Sequence, residues 1–365
     1  MKIAVIGDTH FGVRSDSAAM YLSMRKFYEN VFFPALDQHG ITHVLHSGDY
    51  GDRRKYINFA TARFIEETYR IPLRTRGIHE IALVGNHDCF YRESTELNSI
   101  HELFRHDATL DICTEPREIE LGGRRILLLP WICDSNRVAS MDAIATSSAE
   151  IVLGHLEISG FQMYRGMPAS EGLSPALFDR FPLVMSGHFH HRSSNGPIHY
   201  LGAPYPMVWS DYRDPRGFHI LDTDTLRLTF IPNPYSVFAR IVYDDAGKPN
   251  DYLETLLKGI TAPDSECRDA FVKIVVKSKS QPFWFDLVLD ALSKVNTQDV
   301  MIVDDIIAPS ASDDDTDPST DIDTLVLIRE FVDDLSLSCD KDALQAYLSS
   351  LYHEAMTTTQ SARVV

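Results

Sequence analysis

The first 235 residues of this 365-residue chain predict an α/β sandwich, two facing mixed sheets flanked by helices. Alternating strand and helix patterns run through roughly the first 185 residues. Strand-rich sequence follows in PIHYLGAP, GFHILD and LRLTFI. Five short blocks rich in Gly, Asp and His each come directly after an apolar, strand-like run: GDTHFG at Gly7 to Gly12, GDYGD at Gly48 to Asp52, GNHD at Gly85 to Asp88, GHLE at Gly154 to Glu157 and GHFHH at Gly187 to His191.

In chain order, KIAVI is the first strand and delivers the first block. Asp16 to His39, with Met20, Leu22, Met24, Phe27, Val31, Phe32 and Leu36, is the first crossover helix. HVLHSG is a second strand and ends at Asp49. No internal repeat is visible. Residues 236–307 read as a small cap domain. Its β-α-β pattern starts at Phe271 with FVKIVVK, continues through an apolar helix around Trp284 to Val295 and closes with a strand around Asp299 to Val303. APSASDDDTDPSTDID, residues 308–323, has almost nothing to bury and reads as a disordered acidic linker. Beyond it, in 324–360, Leu325, Ile328, Phe331 and Leu335 recur at helical spacing. After a break so do Leu344, Tyr347, Leu348, Leu351, Tyr352 and Ala355. Two short helices on a tether cannot bury these faces against each other, so they call for a partner surface.

Strands that end in Asp and His at the same edge of an α/β sheet place those side chains where the fold opens its crevice. Two adjacent divalent ions require a bridging carboxylate, terminal imidazole or amide ligands and an open position for water. The five blocks supply all of them. Asp8 and His10 are two residues apart and would share a side in an extended chain. Asp49 is the best placed to bridge. Asn86 offers a neutral carbonyl oxygen, His155 and His188 offer imidazoles to the same ion, and His190 returns to the first. His87 has no ligand role, and His39, His43, His46 and His191 read as ordinary.

The order D-x-H, G-D, G-N-H-[DE], G-H, G-H-x-H, spread over residues 1 to about 235, resembles the calcineurin-like metallophosphoesterases. Within them the chain looks most like the nuclease subunit of SbcCD-type DNA-repair complexes, nearest the phage recombination endonuclease subunits. The local features that carry this are GDTHFGV, LLPWIC at Leu128 to Cys133, GHLEISGF, SGHFH, YLGAPYP at Tyr200 to Pro206 and DPRGF at Asp214 to Phe218. The resemblance implies a two-sheet metallophosphoesterase sandwich with an α/β cap that helps select DNA, and a metal-dependent exonuclease and endonuclease activity. It also implies a helical tail that docks on a coiled-coil, SMC-like ATPase, in a complex of two nuclease and two ATPase subunits. Archaeal and eukaryotic members carry a His shortly after the bridging Asp, where this chain has Asp52. Asp52 is therefore expected to hold His87 by a carboxylate to imidazole hydrogen bond. His87 would donate a proton to the departing ribose oxygen or steady charge in the transition state. Manganese suits a site of carboxylate, amide and imidazole without thiolate, in line with the resemblance; magnesium is less suited to so many nitrogens.

The net charge of −18 is concentrated away from these blocks. Residues 236–365 carry 11 Lys and Arg against 24 Asp and Glu, residues 1–235 carry 23 against 28. Basic residues flank the blocks: Arg14, then Arg53, Arg54 and Lys55, then Arg92 and Arg192, and these are the candidates for gripping a DNA backbone. The five cysteines are odd in number and widely spaced, so free buried thiols are expected. No apolar run reaches the ~18 residues of a membrane span. A soluble protein of the bacterial or phage-infected cytoplasm follows as the expectation. Two other readings use the same metal core: a phosphatase for nucleotides or phosphoproteins, suggested by GDYGDRR, and a non-catalytic scaffold that tethers the ATPase to DNA.

Overall fold

A computed structural model describes residues 1–164, 167–169 and 171–304, together with the single positions Val332, Lys341 and Leu344. The chain divides into two compact units, Met1–Met207 with Asp211–Pro309 and Val208–Ser210 with Ser310–Val365. The expected acidic linker lies outside the described residues. So does the tail with Leu325, Ile328, Phe331, Tyr347, Leu348, Leu351 and Tyr352, of which only Leu344 is described, as a helical position.

The strands of the first unit, in chain order, are β1 (Lys2–Ile6), β2 (His43–His46), β3 (His79–Leu83), β4 (Leu110–Cys113), β5 (Arg117–Leu121), β6 (Arg124–Leu129), β7 (Ile151–His155), β8 (Gln162–Tyr164), β9 (Met167–Pro168), β10 (Leu183–Gly187), β11 (Ser193–Asn195), β12 (Ile198–Tyr200), β13 (Gly217–Asp222), β14 (Arg227–Pro232), β15 (Phe238–Asp244), β16 (Phe271–Ser278) and β17 (Asp299–Asp304). One six-stranded sheet has the order β14-β13-β1-β2-β3-β4, the other β11-β12-β10-β7-β6-β5. Both are mixed. β1 to β4 pair in parallel and β13 returns antiparallel on β1, while β6, β7, β10 and β12 form the parallel centre of the second sheet. The two-sheet sandwich read from the sequence is present.

Successive side chains of a strand point to opposite faces. Ile126 and Leu128 of β6 therefore enter the seam with Ile3, Val5, Leu45 and Leu83 of the first sheet. Leu127 and Leu129 go to the outer layer with Ile144, Phe178 and Phe181. Burial on both faces is why these strands read as continuous apolar runs.

The crossover expected over Asp16 to His39 begins at Ala18 and is not one regular helix. Ala18–Phe27 and Phe33–His39 flank a widened turn at Tyr28–Phe32. The extra residue in that turn brings Phe27, Tyr28 and Phe32 all to the buried side, where Phe32 meets Phe218 of β13 at 4.8 Å between ring centres. Before the helix, Arg14, Ser15 and Asp16 occupy the left-handed backbone region, with φ of 55°, 59° and 61°.

The C-terminal part of the unit is larger than the β-α-β pattern read from Phe271. It is β15, helix Asn250–Thr261, β16, helix Pro282–Lys294 and β17, an all-parallel sheet in the order β15-β16-β17 with its own core. The pattern read from Phe271 includes neither FARIVYD, although Pro232, Asn233 and Pro234 set it off from the preceding strand, nor the helix after it. Among the described residues no helix is long and apolar enough to cross a membrane. Cys89, Cys113, Cys133 and Cys267 are free and buried; Cys339 lies outside the described residues.

One buried ionic network pins β3. Arg70 is withdrawn from solvent and pairs with Glu80 of β3 and, at 2.9 Å, with Asp107; the Tyr69 hydroxyl donates to Glu80 at 2.7 Å. Removing one partner of such a pair strands the other charge, which costs about 3–5 kcal/mol. Glu80→Ala is expected to lose stability of that order in urea unfolding monitored by circular dichroism, and a loss below about 1 kcal/mol would show that Arg70 is already satisfied by Asp107.

Candidate metal centre

Parallel strands end together. β1, β2 and β3 of one sheet and β7 and β10 of the other release their chains on one edge, and each exit carries one of the five blocks. The first two exits are tied by their backbones: His10 N–H donates to the Asp49 carbonyl at 3.1 Å, Phe11 N–H to that of Tyr50 at 2.9 Å, and Asp52 N–H to that of Phe11 at 3.1 Å. The third comes closer still. A Cβ on Gly85 would lie 2.2 Å from the Asp49 nitrogen, so no other residue lets this loop approach.

The result is three overlapping groups of potential ligand atoms, each mutually within 4.8 Å: Asp8 with His10 and His190, His10 with Asp49 and His87, and Asp49 with His155 and His188. Asn86 joins the third, its Oδ1 lying 2.9 Å from His155 Nε2 and 3.0 Å from His188 Nδ1. A carbonyl can only accept, so the 2.8 Å contact from His155 Nδ1 to the Ser47 carbonyl places a proton on Nδ1 and aims Nε2 into the cluster. On the other side His10 Nε2 and His190 Nε2 face each other at 3.0 Å.

The cluster is nearly dry. Burial pushes the Asp8 carboxyl up to about 6, against the pull of His155. Burial also works to raise Asp49, but the neighbouring His155 outweighs it and holds this carboxyl well below the usual range. In return Asp49 overcomes the burial of His155 and lifts it to about 9, whereas burial and the neighbouring His155 push His188 down to about 3. Asp8 Oδ1 accepts from His188 N–H at 2.9 Å, yet Oδ2 is buried with no partner. An orphaned carboxylate oxygen facing imidazole nitrogens and a bridging-type carboxylate, with no thiolate, fits divalent cations. Asp8, His10, Asp49, Asn86, His155, His188 and His190 are the residues that would hold them.

Several expectations need correction. Asp8 and His10 do not converge through an extended chain; both have positive φ, 50° and 39°, as do Asp49 and His188. The Asp52 carboxylate does not hold His87. His87 Nδ1 lies 2.7 Å from the Asp52 backbone carbonyl, while the carboxylate oxygen faces His10 Nδ1 at 3.5 Å. The Asp52 to Phe11 backbone bond lays this segment along the first loop, which turns the side chain to His10 and the carbonyl to His87.

Of the basic candidates, Arg14 turns its guanidinium onto Phe271 at 4.2 Å and Phe238 at 5.5 Å, rings of β16 and β15, and so packs the body against the three-stranded sheet. Arg53 pairs with Asp16 at 2.7 Å. Arg192 lies on the Phe230 ring at 4.4 Å with its residue exposed, Arg54 is half-buried, and Lys55 and Arg92 are exposed.

Sequence reasoning missed three supports. Asp88 is buried and accepts from the backbone N–H groups of Tyr50, Gly51 and Gly85 at 2.9, 3.1 and 2.9 Å, stapling the second block to the third; its place in GNHD was the available signal. His46 lies 3.1 Å from Thr9 Oγ1 and accepts from Gly48 N–H, and burial drives it down to about 3. Arg216 donates to the His190 carbonyl and pairs with Asp211 at 2.6 Å and Asp214 at 2.8 Å, and Asp214 in turn meets His191 at 2.9 Å. No local periodicity announces that group.

Residues 1–192 match the family described as calcineurin-like phosphoesterase. Exonuclease subunit 1 of Enterobacteria phage T4 is 36% identical over 251 residues, covering 68% of this chain and 72% of that protein. The SbcD-type component of the SbcCD nuclease from Staphylococcus saprophyticus is 25% identical over 264 residues, covering 64% of this chain and 69% of that protein. Among solved structures, an archaeal phosphodiesterase aligns at 16% identity and a TM-score of 0.35, covering 64% of this chain and 99% of that one.

A carboxylate behind a ligating imidazole orients the ring and raises its basicity, and its loss costs about 10- to 100-fold in metal affinity. Asp52→Asn is expected to weaken binding of one of two cations by that factor in calorimetric titration with manganese. Two sites of wild-type affinity in this variant would deny Asp52 its part in holding His10.

Proposed function

Because the chain belongs to the calcineurin-like phosphoesterase family, we propose that it is the metal-dependent DNA nuclease subunit of an SbcCD-type recombination and repair complex, acting as exonuclease and endonuclease. The observation that carries the chemistry is the dry pair of carboxylates, Asp8 and Asp49, set among imidazoles with one oxygen of Asp8 unpartnered. DNA as substrate is supported by likeness to the phage exonuclease subunit along more than two thirds of both chains.

When bound, two divalent cations polarise the phosphate oxygens and lower the pKa of the attacking water. Manganese is the proposed ion on the strength of the donor set. Asp49 would bridge, with Asp8, His10 and His190 on one side and Asn86, His155 and His188 on the other. His87 acts on the proton. Its Nδ1 is committed to the Asp52 carbonyl, which fixes the ring and leaves Nε2 to protonate the departing ribose oxygen. His87 also stands within ligand reach of His10 and Asp49, and metal analysis of its variants separates the two roles. Lys55, Arg92 and Arg192 are the basic groups proposed to meet the DNA backbone, with Arg53 and Arg54 beside them. The three-stranded domain, 236–307, is proposed as the DNA-selecting cap. The tail, 324–360, is proposed to dock on a coiled-coil ATPase in a two-plus-two assembly in the cytoplasm.

The direct test is manganese-dependent cleavage of linear duplex and hairpin DNA, assayed beside hydrolysis of nucleotide monophosphates; phosphatase activity without DNA cleavage would overturn the reading. Asp49→Ala is expected to abolish cleavage and reduce the bound ions from two towards one or none by elemental analysis. His87→Ala is expected to keep its metals and lose about 10² to 10⁴ in cleavage rate. A metal-free His87→Ala protein would make His87 a ligand. Deleting residues 320–365 is expected to leave a metal-loaded nuclease that no longer captures the ATPase in a pull-down.

A further inference from the structure

Beside the metal cluster, on the side of His155, a cavity of about 290 Å³ is walled by Trp131, Ile132, Leu156 and Leu173, with Arg137 and Glu157 among its polar groups. His155, one of the proposed ligands, lines its inner end, and the rest of its lining has no ligand or proton-transfer role. We propose that this cavity seats the nucleobase of a nucleotide flanking the scissile phosphate, with the Trp131 indole as its stacking face. The proposal rests on the reading of the chain as a DNA nuclease and adds a substrate subsite to it.

Position comes first. The Trp131 ring centre is 5.1 Å from that of His188 and 6.1 Å from that of His155, so the cavity begins one ring away from two proposed ligands. A phosphodiester held at the cluster would put the adjoining base within reach of it. Chemistry comes next. Walls of mixed polar and apolar character with a flat aromatic face suit a base, since every base has a π-face to stack and an edge carrying both donors and acceptors. Arg137 only donates and a Glu157 carboxylate only accepts, so the two complement such an edge.

The seat is also rigid. Trp131 N–H donates to the Val84 carbonyl at 2.8 Å, immediately beyond β3. The Trp131 carbonyl accepts from Asn136 Nδ2 at 3.0 Å, and Asn136 Oδ1 accepts from Cys133 N–H at 3.0 Å. The opposite wall is equally close-built: Leu173 N–H donates to the Glu157 carbonyl at 2.8 Å, and a Cβ on Gly172, whose φ is +116°, would lie 2.6 Å from that oxygen. Trp131 remains half-buried, with surface left for a ligand. A platform held in place before binding loses little entropy when a base lands on it.

Oligonucleotides carrying an abasic residue on one side or the other of the cleaved bond, with manganese, test the proposal. The wild-type chain is expected to favour intact over abasic DNA by on the order of tenfold in kcat/KM for one of the two positions. In Trp131→Ala that ratio is expected to collapse towards one, chiefly through KM, with two metal ions still bound. Arg137→Ala, at an exposed position, is expected to lower the ratio severalfold and guards against misfolding of the first variant. Equal slowing of intact and abasic DNA by both variants, or loss of metal from Trp131→Ala, would reduce Trp131 to a buttress for His188 and overturn the seat. A wild-type ratio of one at both positions would overturn it too. If the wild-type chain cuts no DNA at all, the nuclease reading itself fails, and the seat falls with it.

Discussion

Two carboxylates, Asp8 and Asp49, are held almost without access to water and feel each other's charge, and much of the catalytic body is built around them. Like charges in a dry site repel and are poorly solvated. The chain compensates by surrounding them with imidazoles, of which His155 sets its Nε2 3.4 Å from an Asp49 oxygen. A third buried carboxylate, Asp88, raised to about 7 by burial and by Asp49, is offset by three backbone N–H donors. Four residues of the cluster accept a left-handed backbone, a conformation costing of order 1–3 kcal/mol at a non-glycine residue. Such strain persists where neighbouring structure over-determines it, here through the backbone bonds between the first two exits and the staple of Asp88 to the third.

The same loops reach outward. The left-handed turn at Arg14 to Asp16 follows directly on the first block and sends two side chains in different directions. Asp16 gathers Arg53 and the hydroxyls of Tyr21 and Thr61, tying in the segment after the second block. Arg14 lies over two rings of the three-stranded domain, a cation–π contact worth about 0.5–2 kcal/mol depending on how far it is desolvated. The first strand exit is therefore in physical contact with the domain proposed to meet DNA. A basic residue beside an active-site block serves here to join two domains.

On the other flank, His190 is held from behind. Its carbonyl receives Arg216, whose charge is balanced by Asp211 and Asp214. A buried guanidinium between two carboxylates tolerates little displacement, because moving it would leave charges unpaired in a low dielectric. Arg216 thus fixes the backbone of His190, while Asp52 beside His10 and the Ser47 carbonyl behind His155 set the orientation of two imidazoles.

The two-sheet architecture and the grouping of seven side chains with His87 were legible in the sequence by itself, because strands buried on both faces leave unbroken apolar runs and each exit carries a Gly followed within three residues by Asp, Asn or His. These are local consequences of backbone geometry. What the tertiary structure alone decided concerns direction. Asp52 and His87 were expected to meet and do, but whether a carboxylate or a carbonyl faces the imidazole depends on how residues 50–52 pair with residues 10–11, a contact between distant segments. Arg14 sits beside a site block in sequence yet packs against Phe271, more than two hundred positions away. The β-α-β-α-β domain gained its first strand only once a parallel neighbour was available, since β15 is defined by its pairing with β16. Periodicity records which face of an element is buried; it carries no information on which distant segment does the burying, and that is where the orienting partners of the metal cluster were settled.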